Sequence, residues 1–191
     1  PPRCCSSAAS DVYKRQSGIL AAKNAAKNNF KTLLVDEKNE LGGSTVYENN
    51  EFNKINNKTP SEWLKKEIEE LKNIKNLEIK TRTSVAAYHQ YNYLLARENL
   101  TDHLEAKDKT NKIRQRLIKI RAKKVILATG ALERPLIFNN NDRPGIMLSS
   151  AIKKYSEFYG VACGSKNVFF TNNDSAYESA LSLYNLSLIH I

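Results

Sequence analysis

The sequence predicts an α/β fold organised on a parallel sheet, and three stretches carry that prediction. Residues 123–148, KKVILATGALERPLIFNNNDRPGIML, hold the apolar run Val125-Ile126-Leu127, which stops at Ala128-Thr129-Gly130. An unbroken apolar run is how a strand covered on both faces of a parallel sheet reads. The three small residues after it let the backbone turn tightly against something bulky. Residues 17–35 set a helix with small packing residues ahead of a second apolar run, KTLLV, tipped by Asp36-Glu37. Between these stretches, residues 83–98 read as a tight hairpin and 113–121 alternate as a third meander strand, joined by a charged, flexible connection over 100–112. In open α/β sheets ligands lie beyond the carboxyl ends of the strands, so both tips point to one site.

The ends of the chain read differently. Residues 11–16, DVYKRQ, can be back-translated as GAT GTG TAT AAG AGA CAG, whose reverse complement encodes LSLIHI, the sequence of residues 186–191. Chance does not produce that relation. It resembles a transposon-type sequencing adapter read through at both ends, and residues 6–10 fit the same adapter. Residues 1–16 and 186–191 are therefore expected to be non-native, to make few native-like contacts, and to flank a piece of a longer gene product.

Within 17–185 the order is helix, strand, loop, helix, strands. Ile19, Leu20, Ala22, Ala25 and Ala26 recur at helical spacing after Ser17-Gly18. The unit 17–36 is the back half of a βαβ unit. In its nucleotide-binding form a G-x-G-x-x-G turn lets the helix N-terminus receive a pyrophosphate, and a carboxylate roughly 20 residues later takes the ribose hydroxyls. Gly18 is placed as the third glycine and Asp36, with Glu37 beside it, as the carboxylate. Strand one and the first two glycines are expected to be missing. Leu41-Gly42-Gly43-Ser44 follows, where the glycines allow close approach of a dinucleotide and Ser44 offers a hydroxyl.

Residues 49–58 are polar and Asn-rich and read as a surface loop. Thr59-Pro60-Ser61-Glu62 is a helix start, with Thr59 as cap and Pro60 at the first position. The helix runs to about residue 74, with Trp63, Leu64, Ile68 and Leu71 facing the core. Short strands are predicted at 77–80, 83–88, 92–98 and 113–121. Val85 lies where strand backbone can pair with an adenine edge. Tyr88, Tyr91 and Tyr93 are assigned to packing on half-buried strands. Residues 149–160 form a helix capped by Gly160, 167–170 a strand, and 171–177 the turn into a last helix. That turn has no glycine, and Asp174 opposes a pyrophosphate there.

The whole is an α/β fold: a truncated Rossmann-like (FAD/NAD(P)-binding) domain over 17–148, lacking strand one and interrupted by a three-stranded antiparallel β-meander. The start of a second Rossmann-like lobe follows over 149–185.

Composition narrows the function. The net charge of +10 falls to about +8 once the ends are set aside, and its lysines are scattered. Lys, Asn and Ile are abundant together, so A/T-rich codons explain the charge, and no nucleic-acid partner is expected. No apolar run nears the roughly 18 residues of a membrane span. With Cys4 and Cys5 excluded, Cys163 is the one cysteine, which suits a cytoplasmic protein and leaves no redox pair. His89 and His103 lack ligand-spaced partners, so no metal is expected. No residue reads as a nucleophile or general base, and no catalytic residue is assigned.

VDEKNELGGS, the meander, ILATGALERPLIFNNNDRPGIML and FFTNNDSAY together resemble the alpha subunit of heterotetrameric sarcosine oxidase. Glu133-Arg134-Pro135 and Asn141-Asp142-Arg143-Pro144-Gly145 are the most specific parts. The resemblance implies oxidative demethylation of sarcosine, transfer of the one-carbon unit to tetrahydrofolate, and hydrogen peroxide as product. It implies a beta subunit and smaller subunits as partners, FAD and FMN in the assembled enzyme, and NAD in this domain, with FAD as the alternative. Gly18, Asp36, Glu37, Gly42, Gly43, Ser44, Thr129 and Gly130, and more weakly Val85, are the expected cofactor-binding residues. Three rivals stand beside it: an FAD-binding subunit of a related amine or amino-acid dehydrogenase, a disulfide reductase, which needs two redox cysteines, and a non-catalytic nucleotide-binding lobe.

Overall fold

The structure, a computed structural model, describes residues 3–8, 15–46, 54–110, 112–130 and 133–185, the first of these as backbone alone. Residues 11–14 of the adapter-like stretch, 49–53 of the expected loop and 186–191 lie outside the described residues. The chain divides into two compact units, Pro1–Val46 with Glu62–Ala131, and Tyr47–Ser61 with Leu132–Ile191. Residues 132–148, expected to close the first domain, thus group with the second unit.

The first unit carries β1 (Arg3–Ala8), α1 (Arg15–Lys27), β2 (Lys31–Asp36), most of α2 (Pro60–Lys72), β3 (Leu77–Lys80), β4 (Thr83–His89), β5 (Tyr93–Asn99) and β6 (Gln115–Ala128). Hydrogen bonding runs in the order β3-β2-β1-β6-β5-β4. It is parallel from β3 to β6 and antiparallel among β6, β5 and β4. The expected parallel sheet and three-stranded meander are both present.

Strand one is not missing from the sheet. Arg3–Ala8 pairs in parallel with Lys31–Asp36 on one side and with residues 122–128 on the other. The expectation of few contacts from residues 1–16 is corrected for this segment. The reason lies in the backbone: two parallel strands one strand-width apart present unmatched N–H and C=O rows, which any extended segment without proline can satisfy.

The third meander strand and the organising stretch are also one strand of 14 residues rather than two. Its first half pairs with β5, Tyr93 opposite Arg121 through Asn99 opposite Gln115. Its second half pairs with β1, and the register skips Lys123, since Arg3 faces Ala122 and Cys4 faces Lys124. A skipped residue is a β-bulge, which bends the strand and turns the alternation over. The bend lets the meander fold across the parallel sheet. Leu33 and Val35 of β2 meet Leu94 and Ala96 of β5 and Ile120 and Ala122 of β6 in one core, with Val125 packed beside it. Asn92 answers the bulge directly, because its Nδ2 donates to the Lys123 carbonyl at 2.8 Å.

The other face of the parallel sheet is covered by α1 through Ile19, Ala22 and Ala26, each 2% exposed. Lys23 ties α1 to α2 by ion pairs with Glu67 and Glu70. On α2, Trp63, Leu64 and Leu71 are buried as their spacing predicts. Three apolar expectations are corrected. Leu20 is exposed; Ile126 and Leu127 are 39% and 59% exposed, so the organising run is not covered on both faces; and Tyr88 and Tyr91 are 53% and 85% exposed rather than packed. The tyrosines sit where the β4–β5 hairpin turns, with Tyr91 and Asn92 both at positive φ, and a turn tip has no neighbour to pack on.

In the second unit α3 (Ser149–Glu157) packs on α4 (Ser175–Asn185), which buries Ala176, Ser179 and Leu183 in a helical stripe. The strand expected at 167–170 is not formed; Val168 and Phe170 are 96% and 70% exposed. No described strand of this unit lies beside it, and a lone strand has no ladder to stabilise it.

Candidate functional site

The register places the carboxyl ends of β2 and β6 on one edge of the sheet, since Ala8 pairs with both Asp36 and Ala128. Two strand spacings, about 10 Å, separate those tips. That edge is where the expected cofactor residues gather.

At the tip of β2 the Asp36 side chain is buried, 1% exposed, and its Oδ1 accepts the Lys38 backbone N–H at 2.9 Å. This short turn fixes the carboxylate and brings the Lys38 carbonyl to the Arg82 N–H at 2.7 Å, so the loop is tied to the start of β4. Glu37, by contrast, points to solvent. Gly42 and Gly43 both have positive φ, 104° and 65°. A Cβ on Gly42 would lie 2.2 Å from Leu64 Cδ2, so that side of Gly42 receives a side chain of α2 rather than a ligand. The chain then enters a 3-10 turn, Gly43–Val46, closed by Thr45 N–H to the Gly42 carbonyl at 3.1 Å. Ser44 Oγ and Thr45 Oγ1 are both buried and have no hydrogen-bond partner among the described residues. A hydroxyl buried without a partner forfeits roughly 1–3 kcal/mol, so two neighbours in that state are a site that a polar ligand group fits.

At the tip of β6 a cleft of about 350 Å³ is lined by Ser17, Ile126, Leu127, Ala128, Thr129 and Gly130. It joins the first turn of α1 to the end of the strand. Gly18 lies behind it, and a Cβ there would stand 3.0 Å from Ala128 Cβ. That is the close helix–strand approach for which the third glycine of the fingerprint serves.

The structure brings Asp36, Gly42, Gly43 and Ser44 together at one strand tip and Thr129 and Gly130 together at another. Gly43 does not line the cleft that Gly130 lines. Val85 pairs with Ala96, next to a register break, and packs against the core cluster. Ser17 and Thr45 were missed; each adjoins a predicted residue, and that adjacency was the available signal. Among the described residues no three His, Cys, Asp or Glu side chains lie close enough to hold a metal, and no helix is long and apolar enough to cross a membrane.

In the second unit, Glu133 has a local task. Its Oε1 accepts Ser149 N–H at 3.1 Å and Ser149 Oγ at 2.8 Å, and its Oε2 accepts Ser150 N–H at 2.9 Å. It thereby caps α3. Burial alone pushes this carboxyl up, but the bonds from Ser150 and Ser149 together outweigh it and hold Glu133 below the usual glutamate range.

No protein-family model matches the chain. Sarcosine oxidase subunit alpha of Corynebacterium sp. (strain P-1) is 40% identical over 167 residues, 87% of this chain. The chain is similar to the alpha subunit of sarcosine oxidase. The same subunit is 38% identical over 161 residues in Corynebacterium sp. (strain U-96) and 34% over 167 residues in Rhizobium meliloti (strain 1021). The chain spans only 16–17% of the length of these alpha subunits. Among solved structures, L-proline dehydrogenase from P. horikoshii superposes on all of this chain with a TM-score of 0.74 at 23% identity, over 35% of its own chain. That likeness establishes a shared mixed α/β fold.

Proposed function

We propose that the first unit is the adenine-dinucleotide-binding part of a flavin-dependent amine oxidoreductase alpha subunit of the sarcosine oxidase type. NAD is the expected dinucleotide. The observation that carries this reading is the tip of β2, where a buried Asp36 is followed by two buried hydroxyls, Ser44 Oγ and Thr45 Oγ1, that lack partners among the described residues. Asp36 would accept hydrogen bonds from ribose hydroxyls, Ser44 and Thr45 would donate to the ligand, and Gly43 would let it approach. Ser17, Thr129 and Gly130 would line the far end, with Gly18 allowing the helix N-terminus to come close. A bound dinucleotide would supply electron-pair transfer. Sarcosine demethylation, folate linkage, peroxide production, FAD and FMN in the assembly, and the beta and smaller subunits extend this reading through the resemblance of the sequence, and a cytoplasmic location extends it through the single native cysteine. A second reading, an FAD-binding subunit fragment of an amino-acid dehydrogenase, draws on the fold shared with L-proline dehydrogenase.

The test follows the emission of Trp63, the single tryptophan, while NAD or FAD is titrated. No glycine precedes Gly18 in this chain, so weak binding is expected. Tyr13→Gly with Arg15→Gly rebuilds the G-x-G-x-x-G spacing and should strengthen it. Asp36→Ala in that background should weaken it roughly ten- to a hundred-fold, the loss of one charge-assisted hydrogen bond of about 1.5–3 kcal/mol. Tighter binding of FAD than NAD selects the second reading. Equal affinity in all variants sinks both.

A further inference from the structure

We infer that the outward face of the meander is a docking surface for the acidic face of a partner protein, separate from the cleft and independent of which dinucleotide binds there. The face is defined by the ladder. Leu94, Ala96 and Ile120 point into the core, so their alternating neighbours point away from it. Those neighbours sit opposite one another as Tyr93 with Arg121, Leu95 with Lys119, and Arg97 with Leu117. Arg97, Lys119 and Arg121 are exposed, and Leu117 is 62% exposed between them.

The charge on this face is of one sign. The three strands of the meander contain a single carboxylate, Glu98, and it lies on the opposite face, engaged by Lys80 at 3.1 Å and Arg116 at 3.3 Å. Arg97, Lys119 and Arg121 have no ion-pair partner among the described residues, whereas Lys23, Lys80 and Arg82 all do. Three neighbouring cations on one rigid sheet repel one another and are stabilised by a surface that brings carboxylates. Leu117, Leu95 and Tyr93 lie among the cations, and arginine and tyrosine are enriched in protein interfaces.

A nucleic acid is the other polyanion such a face could hold, but the geometry of Tyr93, the aromatic residue set among these cations, disfavours it. Base stacking needs open ring faces. The Tyr93 ring has the Arg121 guanidinium 5.7 Å from its centroid and the His89 ring 5.9 Å away, so it is already engaged.

The experiment uses the chain as it stands with three labelled probes: poly-L-glutamate, a glutamate–tyrosine copolymer and a short single-stranded oligodeoxynucleotide. Arg97→Gln, Lys119→Gln and Arg121→Gln together should weaken copolymer binding roughly ten-fold or more in about 0.1 M salt. Removing equal charge elsewhere, with Lys65→Gln, Lys72→Gln and Lys109→Gln, should change it about two-fold or less, since exposed charges are screened over roughly 10 Å. Leu117→Gln leaves every charge in place; it should weaken the copolymer and leave poly-L-glutamate unchanged. It also keeps the inference testable if the triple variant unfolds. Equal losses in the two triple variants reduce the effect to net charge and overturn the inference. So does an oligonucleotide that binds more tightly than the copolymer and is lost with the same three residues.

Discussion

Gly42 shows how one missing atom can hold a loop. Its φ of 104° is a conformation that side chains disfavour, and the space its Cβ would take is filled by Leu64, which is 3% exposed. Gly42→Ala should therefore cost about 2–3 kcal/mol, combining backbone strain with overpacking. Urea unfolding would measure it, and a change under about 0.5 kcal/mol would show that Leu64 can move aside freely. The sequence marked Gly42 as a place for a ligand to approach, but the close approach it permits is to α2. Spacing alone does not distinguish these, because both require the same absent side chain. Asp36 was legible because a carboxylate at the end of an apolar run has few other reasons to be there. Thr45 was not, since a threonine in a loop carries no signal until its burial is known.

At the scale of elements, the bulge at Lys123 is the joint on which the unit turns. Asn92 holds a positive φ of 53° and gives its amide to the carbonyl of the skipped residue. Asn92→Gly keeps the backbone conformation but removes that bond and the exposed one that Asn92 Oδ1 accepts from the Tyr88 hydroxyl at 2.7 Å, and should cost roughly 1 kcal/mol. Asn92→Ala adds strain and should cost more; a cost near zero in Asn92→Gly would mean that the Asn92 side chain contributes nothing. The same joint explains a misreading. Residues 113–121 alternate and 125–127 do not, so the sequence suggests two strands, whereas a bulge turns the alternation over without ending the strand. Helix α2 was legible because Thr59-Pro60 punctuates its start. The absence of a strand at 167–170 was not, because a strand's existence depends on neighbours rather than on its own residues.

The clasp between α1 and α2 belongs to the same scale. Hydrogen bonds from Lys23 to Glu67 and then Glu70 raise the lysine above its ordinary range, and the bond to Lys23 lowers Glu70. The raised lysine stabilises the fold below the ordinary lysine range, and that contribution is lost as pH climbs through its raised value, above about 10. The lowered glutamate contributes above the ordinary glutamate range and is lost as pH falls through its lowered value, below about 4. Melting temperature against pH should show a plateau with both edges. Lys23→Met should lower the plateau and soften both edges. Unchanged edges in that variant would place the titrating groups elsewhere.

For the whole molecule, the question is how much the central strand contributes through its backbone ladder. Cys5 pairs with Leu33 on one side and Val125 on the other, so Cys5→Pro removes a ladder hydrogen bond from the middle of a parallel sheet. It should cost about 3 kcal/mol or more. A chain indifferent to this change would show that Arg3–Ala8 leaves the sheet in solution.

The position of β6 has a consequence for how the protein is made. It is the last described strand to leave the ribosome, yet it lies inside the sheet, between β1 and β5. Until residue 128 emerges, the nascent chain carries β1 and β5 with open edges and the apolar faces of Leu33, Val35, Leu94 and Ala96 uncovered. Insertion of one 14-residue strand then closes both edges and seals the core in a single event. Slow translation just before Gln115 should prolong exposure of those faces, and rapid translation through residues 115–128 should shorten it.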